Sequence, residues 1–470
     1  MNASAALGVD EGEGFWWLAA ILRAVPWYYM ALGSSAFFFF WESYLDLRQI
    51  RHLLSAERRM PPVLREWVGI MRHIYNRMEA TMEFIAECLV LSSHLLVGFW
   101  TLSRDLLDGL GFGIEYRVTR GMVFIILVSL ASSLVRVPFH LFRILCVDTH
   151  FEMRSAASIL DLWFWEQMKM FVLSLLFGIP LLSAYLVLLS WDLPYYWLYS
   201  CVYVAILAIF FTDIYHLIAP AFDNYKPLPE GPLKTEIEKL TRKLNFPLAN
   251  ILVVEKYKQE YRSTVHSNAF LVGFRFSKSI VLYDSLIKQL KEPEICAIIA
   301  HEIGHHKFYH TYKMLFMQLF SMGCFIFLFA HIVKMPQFYR SFGFLSVDAS
   351  IGLVLFSYIY SAFANLGHWL TNYVNRSMEY AADEYAVANG MRKLESALIK
   401  IHANNLTNLM PDPWYAHYHY SHPSLAERLA HIQHLKLQQQ PPPPSSSPSS
   451  SSSSSTTVRQ EGQEENKKER

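Results

Sequence analysis

Four runs of the chain hold no Asp, Glu, Lys or Arg: Met170 to Trp191, Leu193 to Thr212, Met314 to Val333 and Ala349 to Asn375. A helix that crosses a bilayer needs about 20 such residues, because lipid offers no partner for backbone N–H and C=O groups. Each run therefore reads as a membrane span. Ala24 to Trp41 is a fifth. Cys88 to Ser103 and Gly121 to Val135 are shorter, and they cross only if Glu83, Glu87 and Arg136 lie at an interface or inside a bundle. The expected fold class is mainly α, a polytopic membrane protein with seven spans. The first run has neither a basic segment before it nor a small-residue cleavage site after it, so it is expected to be retained.

Composition removes several alternatives. With 53% hydrophobic and only 17% charged residues, the chain is too apolar for a soluble domain of this length. A formal charge of +1 provides no general attraction for nucleic acid, which is excluded as a partner. The cysteines at 88, 146, 201, 296 and 324 form no CxxC, so neither a disulfide framework nor a thiolate metal site is indicated and buried thiols are expected.

Lys and Arg set the orientation, since positive residues near span ends stay on the cytoplasmic side. With seven spans, one side holds 35 of them and the other 6. The segments expected on the cytoplasmic side include Asp213 to Lys313 and everything after Asn375. The domain organisation follows: 1–212 with five spans, 213–313 as a polar segment, 314–375 with two spans, 376–437 as a second polar segment, and 438–470 as a Pro/Ser-rich tail that cannot bury a core.

The sharpest chemical signal is His301-Glu302-Ile303-Gly304-His305. Pro293 suits a first helical turn, and Ile295, Ile298 and Ile299 mark a buried face, so the segment reads as a helix. On a helix, His301 and His305 share a face and can bind one zinc ion, with Glu302 beside them to take a proton from water. Downstream, Arg376 to Asp383 reads as a helix that leaves the seventh span and stops at Asn389-Gly390. Glu379 and Asp383 are again four residues apart. One carboxylate completes a His2Glu set of the gluzincin kind and the other orients an imidazole. Two spans separate the two helices, which puts both on one membrane face. His306 and His310 fall off this spacing and read as solvated. Ala269 to Phe274 and Ser279 to Tyr283 read as a hairpin, followed by Asp284 as a helix cap. Its edge could hold an extended peptide, and His422 could donate to an oxyanion.

Several segments in order, WESYLDLRQ, IAPAFDNYKPLPEG, NAFLVGF, SIVLYDSL, AHEIGHH, RSMEYAADEYA and SHPSLAERL, resemble the type I CAAX prenyl proteases from about Trp41 to Leu437. The resemblance implies a seven-helix transmembrane barrel that encloses a chamber, with one zinc ion per chain inside it. It implies removal of the three residues after a prenylated cysteine, so that partners are prenylated CAAX-tail proteins and membrane lipid. Residue by residue, it implies zinc ligation by His301, His305 and Glu379 and catalysis by Glu302. It also implies Asp383 as an outer partner, Asn268 on the substrate strand, and His422 and Arg376 as further active-site residues. Asn375 departs from the serine common in the family. Two rival readings are a membrane quality-control metalloprotease without a prenyl requirement and a non-enzymatic multispan scaffold. Lys467 and Lys468 resemble a dilysine retrieval signal, so the expected location is the endoplasmic reticulum membrane, with the nuclear envelope as a further site and the zinc centre facing the cytosol.

Overall fold

The computed structural model describes residues 22, 24–57, 67–92, 95–113, 116–142, 156–191, 193–222, 225–254, 268–272, 278–404, 408 and 411–439. Helices stand at all seven expected positions among these residues. Arg117–Phe142, Trp163–Ser190, His310–Ile332 and Ala349–Ala388 are each long and apolar enough to cross a membrane. The expected span Cys88 to Ser103 is not one straight helix. Ala80–Leu91 and Leu95–Gly109 meet at 66°, so together they form one broken span or a re-entrant loop. The helix Trp27–Glu57 begins within the expected first span and runs 16 residues past Trp41. The helix Tyr196–Phe222 covers the fifth position. Inside Trp163–Ser190, a π-turn at Ser174–Gly178 lies just before Pro180, whose missing N–H interrupts the hydrogen-bond ladder.

Charges that flank the short apolar runs find partners across helices. Arg136 Nε lies 2.9 Å from Glu83 Oε1, and Ser35 Oγ donates to Glu87 Oε1 at 2.8 Å. The Arg136 and Glu83 side chains remain about half exposed. The pairing lets each charge neutralise the other beside the short apolar runs, where a lone charge would be costly. Cys88, Cys201 and Cys296 are only partly buried and Cys324 is exposed. That corrects the expectation of buried thiols among the described residues; Cys146 lies outside them.

The polar part is built on a four-stranded sheet in the order β1-β2-β4-β3, with β1 Tyr225–Pro227, β2 Leu248–Val254, β3 Ala269–Val272 and β4 Lys278–Tyr283. The expected hairpin is β3 and β4, paired antiparallel with Ala269 opposite Leu282. The sheet is larger than that hairpin because β2 joins β4 in parallel, a non-local pairing that leaves no turn signal. Asp284 does not cap its helix from outside. Tyr283 occupies that position and Asp284 is the first helical residue, paired with Lys288.

The helix Glu292–Lys307 lies over this sheet, with Ile295, Ile299 and Ile303 essentially buried beside Ile280, Leu282 and Leu286. Ala349–Ala388 is the other organising element. Its 40 residues span about 60 Å, twice the hydrocarbon thickness, so it leaves the membrane and continues as the scaffold for Glu379 and Asp383. Asp348 caps its start by accepting from Ser350 N, and Asn389 followed by Gly390 at φ 87° ends it.

Candidate metal centre

Gly304 sets the crossing of these two helices. A Cβ placed there would lie 3.1 Å from Ala382 Cα and 3.2 Å from Tyr385 Cβ. Only glycine lets the backbones approach this closely without displacement. One turn before Gly304 stands His301, and the next residue after it is His305. Facing them across the contact is Glu379.

The three side chains converge. His301 Nε2 lies 3.1 Å from His305 Nε2 and 3.5 Å from Glu379 Oε2, and His305 Nε2 is 3.2 Å from Glu379 Oε1. A tetrahedral ion with bonds of about 2.0–2.1 Å has ligand-to-ligand edges of about 3.3 Å. The two imidazole nitrogens and the carboxylate approach that spacing, with one donor atom from each residue within 4.8 Å of the others. Glu379 Oε2 is buried without a hydrogen-bond partner, and two imidazole nitrogens face each other at close range. A shared cation satisfies all three.

Each imidazole is held from behind. Asp383 Oδ1 accepts from His301 Nδ1 at 2.9 Å, which leaves Nε2 free for the metal. Arg428 grips the same carboxylate in bidentate fashion, Nη2 to Oδ1 at 2.6 Å and Nε to Oδ2 at 2.9 Å. Its Nη1 also reaches within 3.5 Å of Glu379 Oε2. Behind His305, the Nδ1 atom lies 2.9 Å from His310 Nδ1. His310 is buried, which overturns the reading of it as a solvated residue. His306 is half-buried and packs edge-on against Phe246.

Burial alone would lower the pKa of His301, but its hydrogen bonds with Asp383 and Glu379 raise it to about 9. Burial pushes the Glu302 carboxyl above its ordinary range, opposed by the neighbouring His301 and His305. That direction suits a group that must accept and return a proton.

The other predicted residues surround this core. His422 Nε2 is 3.4 Å from Glu379 Oε1, and its Nδ1 lies 2.9 Å from Ser421 Oγ. Arg376 sits on Glu427, with Nη2 donating to Oε1 at 2.8 Å. Asn268 is exposed at the start of β3, where its Oδ1 accepts from Ala269 N and its carbonyl accepts from Tyr283 N. β3 is an edge strand and packs against the helix Glu292–Lys307. Sequence reasoning missed Arg428, although it lies inside the SHPSLAERL segment.

Residues 227–436 match the model of peptidase family M48, and residues 68–224 match that of the CAAX prenyl protease N-terminal region, described as five membrane helices. Over 426 residues the chain is 33% identical to a CAAX prenyl protease 1 homolog of Arabidopsis thaliana, covering 86% of this chain and 97% of that protein. The chain belongs to the CAAX prenyl protease family. It is also 30% identical to CAAX prenyl protease 1 of Saccharomyces cerevisiae, over 87% of this chain and 96% of that one. Among solved structures, the crystal structure of S. mikatae Ste24p superposes with a TM-score of 0.75 at 28% identity, covering 87% of this chain and 99% of that one. This member of the family is a multi-pass membrane metalloendopeptidase. Its candidate metal residues, His301, His305 and Glu379, all lie within the peptidase M48 match.

Proposed function

We propose that this protein is a zinc endopeptidase that removes the three residues following a prenylated cysteine at the end of CAAX-tail proteins. The observation that carries the reading is the convergence of His301, His305 and Glu379, one donor atom from each within 4.8 Å of the others, where the helix Ala349–Ala388 nears its end. Nitrogen and carboxylate donors in this His2Glu combination are those of catalytic zinc sites with an open fourth position. Bound zinc supplies Lewis acidity toward the scissile carbonyl and the attacking water. Glu302 accepts the proton of that water and passes it to the leaving nitrogen. Asp383 and His310 keep the two imidazoles presenting Nε2. A Ser421 hydroxyl donating to Nδ1 leaves the His422 proton on Nε2, from where it donates to the oxyanion. Asn268 and β3 hold the peptide as an added strand. Arg376 holds Glu427 and, through it, the turn that carries His422.

The prenyl chain accounts for a protease built into a membrane. Its partition into lipid is worth about 0.8 kcal/mol per buried CH2, which holds the substrate cysteine at the bilayer next to the site. The bias of 35 Lys and Arg against 6 supports a site that faces the cytosol, in the endoplasmic reticulum membrane. A farnesylated CAAX peptide and its unprenylated twin, each offered to purified protein in lipid, test this reading. Release of the terminal tripeptide from the first far in excess of the second is expected. Equal cleavage of both would favour a quality-control protease, and no cleavage of either would count against peptidase action on this substrate class.

A further inference from the structure

His422 presents a problem of support. Its side chain is 66% exposed, so packing does not fix the ring, and its place near Glu379 depends on the backbone that carries it. That backbone is the short connection between the helices Pro413–His419 and Leu425–Gln438. One end is pinned locally: Ser424 and Glu427 form a capping box, and Arg428 is locked onto Asp383. The other end is pinned by an element far away in sequence. Arg48 Nε and Nη2 donate to Asp412 Oδ1 and Oδ2 at 3.2 and 3.0 Å, and the fully buried Gln49 accepts from Asp412 N at 2.6 Å. Asp412 in turn caps the helix Pro413–His419 by accepting from Trp414 N and Tyr415 N. Leu45, Tyr415 and Tyr418 form a small buried cluster over the joint, and Asn372 Nδ2 donates to Tyr418 O at 2.8 Å.

We propose that the first helix positions His422: Arg48 and Gln49, clamped on Asp412, set the register of the 412–422 segment and so hold the imidazole beside the metal centre. Trp27–Glu57 lies outside the residues matched by either family model. Arg48 and Gln49 end the WESYLDLRQ segment, which the catalytic chemistry leaves without a role. A bidentate guanidinium–carboxylate pair fixes direction as well as distance, as a lysine cannot. Both partners come from elements separated by more than 350 residues, so the contact also ties the first membrane helix to the site. The inference rests on the reading of His422 as an oxyanion donor.

The test is a double-mutant cycle on full-length protein in lipid, reading kcat, KM and metal content with a farnesylated CAAX peptide. Arg48→Ala should lower kcat about 10- to 100-fold, the cost of misplacing a catalytic group by about 1 Å, with KM and metal content little changed. Arg48→Lys should recover only part of the loss. Asp412→Asn keeps a capping oxygen for the helix while removing the negative charge that faces Arg48, and it should reproduce the defect without unfolding the segment. In a His422→Ala background, Arg48→Ala should add almost nothing, because the group it positions is gone. If the two losses multiply in full, the positioning role is wrong. If His422→Ala alone leaves kcat intact, the oxyanion reading fails and the proposal fails with it. A loss of metal or of melting temperature in Asp412→Asn that matches its loss of activity would mark the clamp as purely structural.

Discussion

Asp383 serves two partners with one carboxylate: it accepts from His301 Nδ1 at 2.9 Å while receiving two hydrogen bonds from Arg428. All three side chains are buried. Asp383 therefore holds a metal-facing imidazole in one tautomer and neutralises a guanidinium that has little access to water. Asp383→Asn keeps the shape but removes the charge, so the variant should bind zinc or turn over about 10- to 100-fold less well. Zinc titration with a competing chelator, run beside the kinetics, checks this. A variant as metal-free as a ligand substitution would give Asp383 a larger role than orientation.

Glu302→Gln leaves His301, His305 and Glu379 in place. It should retain zinc while losing activity by a factor of about 10^2 to 10^4, since only proton transfer is removed. Metal analysis and turnover on one preparation decide the matter, and near-normal turnover would rule out Glu302 as the base.

The close approach at Gly304 makes a steric prediction. Helix propensity alone favours Gly304→Ala by about 1 kcal/mol. The added Cβ, however, meets backbone at 3.1 Å on Ala382. The helices must then separate by a few tenths of an ångström, which carries Glu379 away from the histidines. Gly304→Ala should lower zinc affinity, and Gly304→Val should abolish tight zinc binding. Unchanged zinc affinity in both would show that the crossing does not set the ligand triangle.

Glu294 offers a test by pH. It anchors the helix Glu292–Lys307 to the helix Leu394–Asn404 through Lys400 at 2.7 Å and through Ser396, and it accepts from Lys291 N. Burial would raise its pKa, but these bonds lower it to about 2 from an ordinary 4.5. Because the folded value is depressed, the stabilisation is complete above about pH 4.5 and fades as pH falls toward 2. Glu294→Gln should lose about 1–3 kcal/mol at neutral pH, seen as a lower Tm. The gap to the parent protein should hold from pH 7 to about 5 and narrow as the pH falls from there toward 2. A gap that stays constant would mean that the charge is not what stabilises.

What the sequence made legible was local. A spacing of four places His301 over His305 and Glu379 over Asp383 wherever the chain is helical, and charge-free runs identify spans without tertiary information. His310 escaped because Tyr309 has φ 58° and breaks the helix after Lys307. Beyond that break, helical spacing no longer tells which residues share a face, and a residue that looked misplaced returns to touch His305. Arg428 escaped because 45 residues separate it from Asp383, and no periodicity links the two. The parallel partner of β4 was hidden for a related reason, since β3 intervenes in sequence between β2 and β4. The bend after Leu91 was hidden in a stretch that hydropathy reads as continuous.

The central claim is that His301, His305 and Glu379 hold one zinc ion on which CAAX processing depends. Purified protein, stripped by chelator and titrated with zinc, should regain tripeptide release from a farnesylated CAAX peptide in a linear rise that saturates at about one zinc per chain. Glu379→Ala treated in the same way should show no such rise. Tripeptide release that persists in the stripped protein, or full zinc-dependent recovery in Glu379→Ala, would contradict the account.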